Sequence, residues 1–155
     1  MSFLNAFKHA VDGFTYCLNN ERNMRIHTVF ALYVLIFSRF YNFSRLEYIV
    51  LFLLIGIVIA CEAFNTAIEK LSDFSSKKYE PLIKITKDAS ASGVLICAVS
   101  AAVIGIMLFF DVKVFEKIFL YFRYSPFMLF ALLISLFLSG LFIKNGPKIF
   151  KWVWE

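Results

Sequence analysis

The chain reads as long apolar runs separated by short polar gaps. The runs over 46–64, 92–110 and 127–143 are nearly free of charge and have the length of a membrane-spanning helix. A shorter run over 26–41 carries Ser38 and Arg39 near its end, where an arginine can snorkel to the interface, and it makes a fourth span. Ahead of them Phe3, Phe7, Val11, Phe14 and Leu18 recur every three or four residues, with Asn5, Lys8, Asp12 and Asn19 on the opposite side. That spacing predicts an amphipathic helix, suited to the membrane interface or to packing on the spans. Gly13 interrupts it and allows a bend. Ser44 before Leu46 and Glu47 predicts an N-cap for the second span. Pro81 predicts that one helix ends before it and another begins there, running through Lys87 and Asp88 into the small residues Ala89 to Gly93.

One polar stripe breaks this pattern. Glu62, Asn65, Glu69 and Asp73 follow the run over 46–64 at spacings of i, i+3, i+7 and i+11. At about 100° per residue they project within roughly 80° of one another, on one helix face about 16 Å long. Carboxylates at such depth are costly and face a partner, a cavity or an ion. Interhelical hydrogen bonding is the plainer explanation. Three carboxylates and an amide exceed what that needs, and the functional reading is a site for a divalent cation and proton transfer. Glu69 suits a hard cation such as Mg²⁺, which takes oxygen ligands and bridges phosphates. Glu62 lies deeper and suits a general base.

Composition agrees with the run lengths: 61% of the 155 residues are hydrophobic and mean hydropathy is +0.76. The fold class expected is all-α integral membrane, with a surface helix and four spans, and little chain left for a soluble catalytic domain. The N-terminal residues lack the pattern of a cleavable signal peptide. The net charge of +5 is unevenly spread and does not point to nucleic acid. With four spans, eleven of the 16 lysines and arginines, Lys70, Lys77, Lys78, Lys84 and Lys87 among them, fall on the side of the termini. The remaining five fall on the other, so both termini and the loop after the stripe are expected in the cytoplasm. Cys17, Cys61 and Cys97 have no CxxC spacing and read as reduced packing residues.

Other polar groups say less by themselves. Glu21 and Arg25 have the spacing of a surface helical ion pair of small worth, and Lys87-Asp88 is a common start to a helix. His9 and His27 lack metal-ligand partners at useful spacing. No glycine-rich phosphate loop or nucleophile elbow is present, so a nucleotide would bind without the usual soluble folds.

Three motifs taken together resemble the small prokaryotic diacylglycerol kinase family, which includes the undecaprenol kinases. They are Glu21-Arg-Asn-Met-Arg-Ile-His27, Glu62-Ala-Phe-Asn-Thr-Ala-Ile-Glu69 with Asp73, and Lys87-Asp88-Ala-Ser-Ala. The resemblance covers about residues 3–110 and implies a surface helix with three membrane helices, assembled as a homotrimer with sites between subunits. It implies transfer of the γ-phosphoryl of MgATP to the hydroxyl of a membrane lipid. Carried onto these positions, Glu62 is the base and Asn65 orients it or the substrate. Glu21 and Glu69 hold the Mg²⁺ that accompanies ATP, and Lys87 with Asp88 holds the nucleotide. Lys78, Tyr79 and Glu80 correspond to a loop that also contacts nucleotide, although Glu80 stands where a histidine is frequent. Asp73 supports the metal site or caps its helix.

The chain departs from the family after Phe110. It is therefore divided into a kinase core over 1–110 and an extension over 111–155 that carries the last span and a basic, tryptophan-containing tail. The expectation is a bacterial inner-membrane kinase, with undecaprenol as acceptor and diacylglycerol as the alternative. A cation- or proton-coupled transporter is the competing class. Its path would need charged groups across the bilayer, and 49–59 and 94–110 have none.

Overall fold

The computed structural model describes residues 2–76 and 80–147, and its regular structure is helical throughout. The expected tail residues Lys148, Lys151, Trp152 and Trp154, and the loop residues Lys77, Lys78 and Tyr79, lie outside the described residues. Helix α1 spans Phe3–Asn20, capped by the Ser2 hydroxyl. Its apolar stripe stays exposed, Phe3 at 84% and Phe7 at 64%, as a helix lying in an interface requires. Glu21 ends α1, donating its amide to the Cys17 carbonyl at 2.8 Å, and begins α2, Arg22–Phe37. A 3₁₀ turn, Ser38–Phe40, prolongs α2, so the pair reaches roughly 30 Å, the depth of the hydrocarbon layer.

Helix α3, Arg45–Ser75, starts in a full capping box: the Ser44 hydroxyl accepts from the Glu47 amide, and the Glu47 carboxylate accepts from the Ser44 amide at 2.6 Å. Its 31 residues reach roughly 46 Å, some 16 Å more than the thickness of a bilayer core. Helix α4, Pro81–Phe109, begins at the predicted proline and runs unbroken through Lys87 and Asp88. The sequence pattern did not mark α5, Val112–Tyr124, which is amphipathic and capped by the Asp111 carboxylate. Helix α6, Pro126–Asn145, follows at once and ends at Gly146, whose φ of +69° suits a residue without a side chain.

Among the described residues three helices, α3, α4 and α6, are long and apolar enough to cross a membrane, against the four spans expected; α2, with 16 residues, is too short to count among them. The main seam is α3 against α4; α2 packs on α3, α6 on α2, and α5 on α6 and the 3₁₀ turn. Away from the site, Tyr41 donates to the last carbonyl of α4, Phe109, at 2.7 Å. Nearby Phe40 meets the Tyr121 ring edge-on at 5.2 Å, which ties α5 to the core. Most large apolar side chains remain exposed, as expected where lipid replaces water as solvent.

Candidate active site

The stripe on α3 forms one line of paired groups, two of them to other helices and one within α3 itself. Glu62 is deepest, 2% exposed, and its Oε1 lies 3.3 Å from His27 Nε2 on α2. One turn on, Asn65 is buried and donates through Nδ2 to Glu69 Oε1 at 3.0 Å, while its own Oδ1 has no partner. Thr66 beside it is buried with an unpartnered hydroxyl. Lys70 reaches back to Glu21 at 3.1 Å, which sets the α1–α2 junction against α3. Asp73, exposed, pairs with Lys87 of α4. The four partners come from 21–87, and only the α3 residues among them share a regular spacing.

These pairings alter several sequence-based expectations. Glu21 does not pair with Arg25, four residues on; it pairs with Lys70, and Arg25 turns to backbone carbonyls. His27, which the sequence showed only as a histidine without metal-ligand partners, is the polar partner of Glu62. Asp73 makes an ion pair to α4. Asp88 and Glu80 stand exposed at the start of α4, and Glu80 makes no capping bond with its side chain. His27, Lys70 and Thr66 were not anticipated as members of this line. For His27, its place at the head of the apolar run over 26–41 was the available signal, because a histidine at such a boundary needs a partner.

An apolar cavity of about 670 Å³ opens beside the line. It lies between α2, α3 and α4, reaches from His27 past Val34, Leu51 and Val58 to Phe109, and is bounded at its far end by Phe115 of α5. Its one polar lining residue is the histidine that touches Glu62. A hydrocarbon chain could lie there with a polar head at Glu62, as apolar walls with few convergent polar groups favour.

Mg²⁺ can be tested against the donor set. Among the described residues no three histidine, cysteine, aspartate or glutamate side chains gather into a metal cage. Mg²⁺ paired with a nucleotide does not need one: it binds through one or two carboxylates plus phosphates and keeps several waters. Glu69, half-buried and held by an amide, together with the unpartnered Asn65 carbonyl, is a hard oxygen donor set of that kind. Glu21 has the same chemistry, with Lys70 as its present partner. The residues fit such an ion.

Helical spans, a buried carboxylate where hydrocarbon gives way to polar side chains, and an apolar cavity leading to it define an integral membrane protein built to act on a lipid. The chain belongs to the prokaryotic diacylglycerol kinase family, whose profile matches residues 8–109. It is 38% identical over 107 residues to the undecaprenol kinase of Bacillus subtilis, a match covering 69% of this chain and 87% of that one. It is 32% identical over 105 residues to a diacylglycerol kinase of Synechocystis, covering 67% and 60% of the two chains. A diacylglycerol kinase of Helicobacter pylori is 29% identical over 91 residues, covering 59% and 71%. No solved structure matches. The protein is a membrane lipid kinase with ATP as its co-substrate.

Proposed function

We propose that this kinase phosphorylates undecaprenol to undecaprenyl phosphate at the inner membrane of a bacterium, with diacylglycerol as the alternative acceptor. The observation that carries the lipid-side reading is buried Glu62 paired to His27, the polar residue that lines the apolar cavity. The acceptor hydroxyl reaches Glu62 while its chain stays in hydrocarbon. The preference for undecaprenol rests on the ERNMRIH and NTAIE blocks and on the 38% identity to an undecaprenol kinase.

In this reading Glu62, as carboxylate, takes the proton of the lipid hydroxyl. The freed oxygen bonds to the γ-phosphorus, and the bond from that phosphorus to the bridging oxygen breaks, releasing ADP. His27 holds the carboxylate in its orientation, while Asn65, expected to orient Glu62 or the substrate, donates to Glu69 and has its carbonyl left for the substrate side. Mg²⁺, when bound with the nucleotide, supplies charge neutralisation on the phosphate oxygens; Glu21 and Glu69 are the residues that hold it. Lys87 and Asp88 bind the nucleotide from the start of α4, with Lys78, Tyr79 and Glu80 from the preceding loop. Phosphoryl transfer depends on position and charge more than on covalent catalysis, so this short set of side chains suffices.

The same reading divides the chain into a core over 1–110 and an extension over 111–155, with both termini cytoplasmic. The arginine and lysine asymmetry favours that orientation, and so does the meeting of the end of α6 with the start of α2. The core assembles as a homotrimer with sites between subunits. The broad exposed apolar faces of α3 and α4 leave room for such packing. The test is a side-by-side assay of the purified protein in lipid with MgATP and either undecaprenol or diacylglycerol. Faster phosphorylation of diacylglycerol reverses the acceptor assignment, and transfer to neither, nor to any other lipid alcohol, rejects the site as drawn.

A further inference from the structure

Arg25 is 7% exposed, and no carboxylate among the described residues pairs with it. Its guanidinium is instead spent on backbone. Nε donates to the Ile143 carbonyl in the last turn of α6 at 3.1 Å, and Nη1 to the Leu18 and Asn19 carbonyls in the last turn of α1 at 3.0 and 3.4 Å. The C-terminal turns of two helices carry free carbonyls and the negative end of the helix dipole, so a buried cation between them satisfies both. Gly146 completes the seat. A side chain there would stand 3.3 Å from Arg25 Nη1 and 3.5 Å from the Asn19 carbonyl, and its φ of +69° also favours glycine.

The junction held in this way is the one that presents Glu21. The Glu21 amide is bonded to Cys17 and its carbonyl to the Arg25 amide, so its backbone is set by the angle between α1 and α2. We propose that Arg25 is a positioning residue that clamps α6 to the end of α1 and thereby fixes Glu21 against the stripe of α3. The C-terminal extension is then a working part of the nucleotide side of the site. This rests on the reading of Glu21 as a ligand of the metal–nucleotide complex.

Full-length Arg25→Lys and Gly146→Ala test it from the two sides of the contact. A lysine is a compact point charge without the planar fork by which Nε reaches α6 while Nη1 reaches α1. Loss of charged hydrogen bonds at the junction is expected to raise the KM for MgATP about tenfold in each variant, with kcat and the lipid KM close to wild type. Hydrogen exchange at the Glu21 and Arg25 amides should accelerate in both. As a control, Ser139→Ala removes an α2–α6 contact made through Tyr33 and leaves Arg25 alone, so the MgATP KM should not move. A fall in Vmax with both KM values unchanged in the two clamp variants means a merely structural arginine and overturns the proposal. So does an equal KM shift in Ser139→Ala, or unchanged amide protection in both clamp variants. If the wild type phosphorylates no lipid, the kinase site as drawn has failed, while the exchange measurement still decides whether the clamp exists.

Discussion

Glu62 follows the cavity-lining Val58 and Ile59 on α3 and precedes the polar pair Asn65 and Glu69. Burial to 2% exposure with one histidine at 3.3 Å leaves its carboxylate few partners other than an incoming hydroxyl. Glu62→Gln keeps shape and burial but removes the proton acceptor. Its kcat is expected to fall by about 10² or more with nucleotide binding kept, since general-base contributions are of that order. A near-normal rate in a phosphate-transfer assay would remove Glu62 from the role. His27→Ala leaves the carboxylate without its orienting partner and should lower kcat while the KM for MgATP stays put. Glu69→Gln has the opposite signature: it should weaken Mg²⁺-dependent ATP binding in a titration, and an unchanged metal dependence argues against ligation.

At the scale of elements, the site is made by helix ends more than by helix middles. The C-terminal part of α3 carries Lys70 to the α1–α2 junction and Asp73 to α4, with Asn65 and Glu69 paired to each other before them. Helix α6 adds a second kind of tie. Tyr33 donates to Ser135 at 2.9 Å and lies 3.2 Å from the Ser139 hydroxyl, a polar contact between spans. Such contacts in membranes contribute modestly because the separated helices also find partners. Tyr33→Phe should therefore cost only about 0.6 kcal/mol in reversible unfolding from mixed micelles. A loss several times larger would mean that α6 packing depends on this one hydroxyl cluster.

At the scale of the whole molecule, α2 starts and α6 ends at the same end of the bundle, where α3 ends and α4 begins. Reporters of cytoplasmic exposure fused at the N- and C-terminus should accordingly give the same signal. Opposite signals would contradict the proposed orientation. The exposed apolar faces of the spans suit a lipid environment, and the acceptor assay reads what the cavity admits.

The sequence by itself determined the class, the three long spans and the main acidic line, because those are local properties; the run over 26–41, expected as a fourth span, forms a helix of only 16 residues. Apolar length records the thickness of a bilayer, and the i, i+3, i+7 spacing of Glu62, Asn65 and Glu69 records one helix face. The Ser44 cap and the Pro81 start were legible for the same reason: each acts within a turn of its own position. Helix α5 escaped notice because its apolar positions are mixed with charge over only 13 residues, and packing on α6 and the 3₁₀ turn supports it. Tertiary structure decided the pairings. Glu21 has Arg25 at a suitable helical spacing, yet the break in the helix at Glu21 sends its carboxylate to Lys70 and frees the guanidinium for Ile143, 118 residues away. His27 and Glu62 likewise meet only because α2 packs on α3. A charge buried among helices takes whatever satisfies it in space, and chain spacing carries no record of which helix end will arrive there.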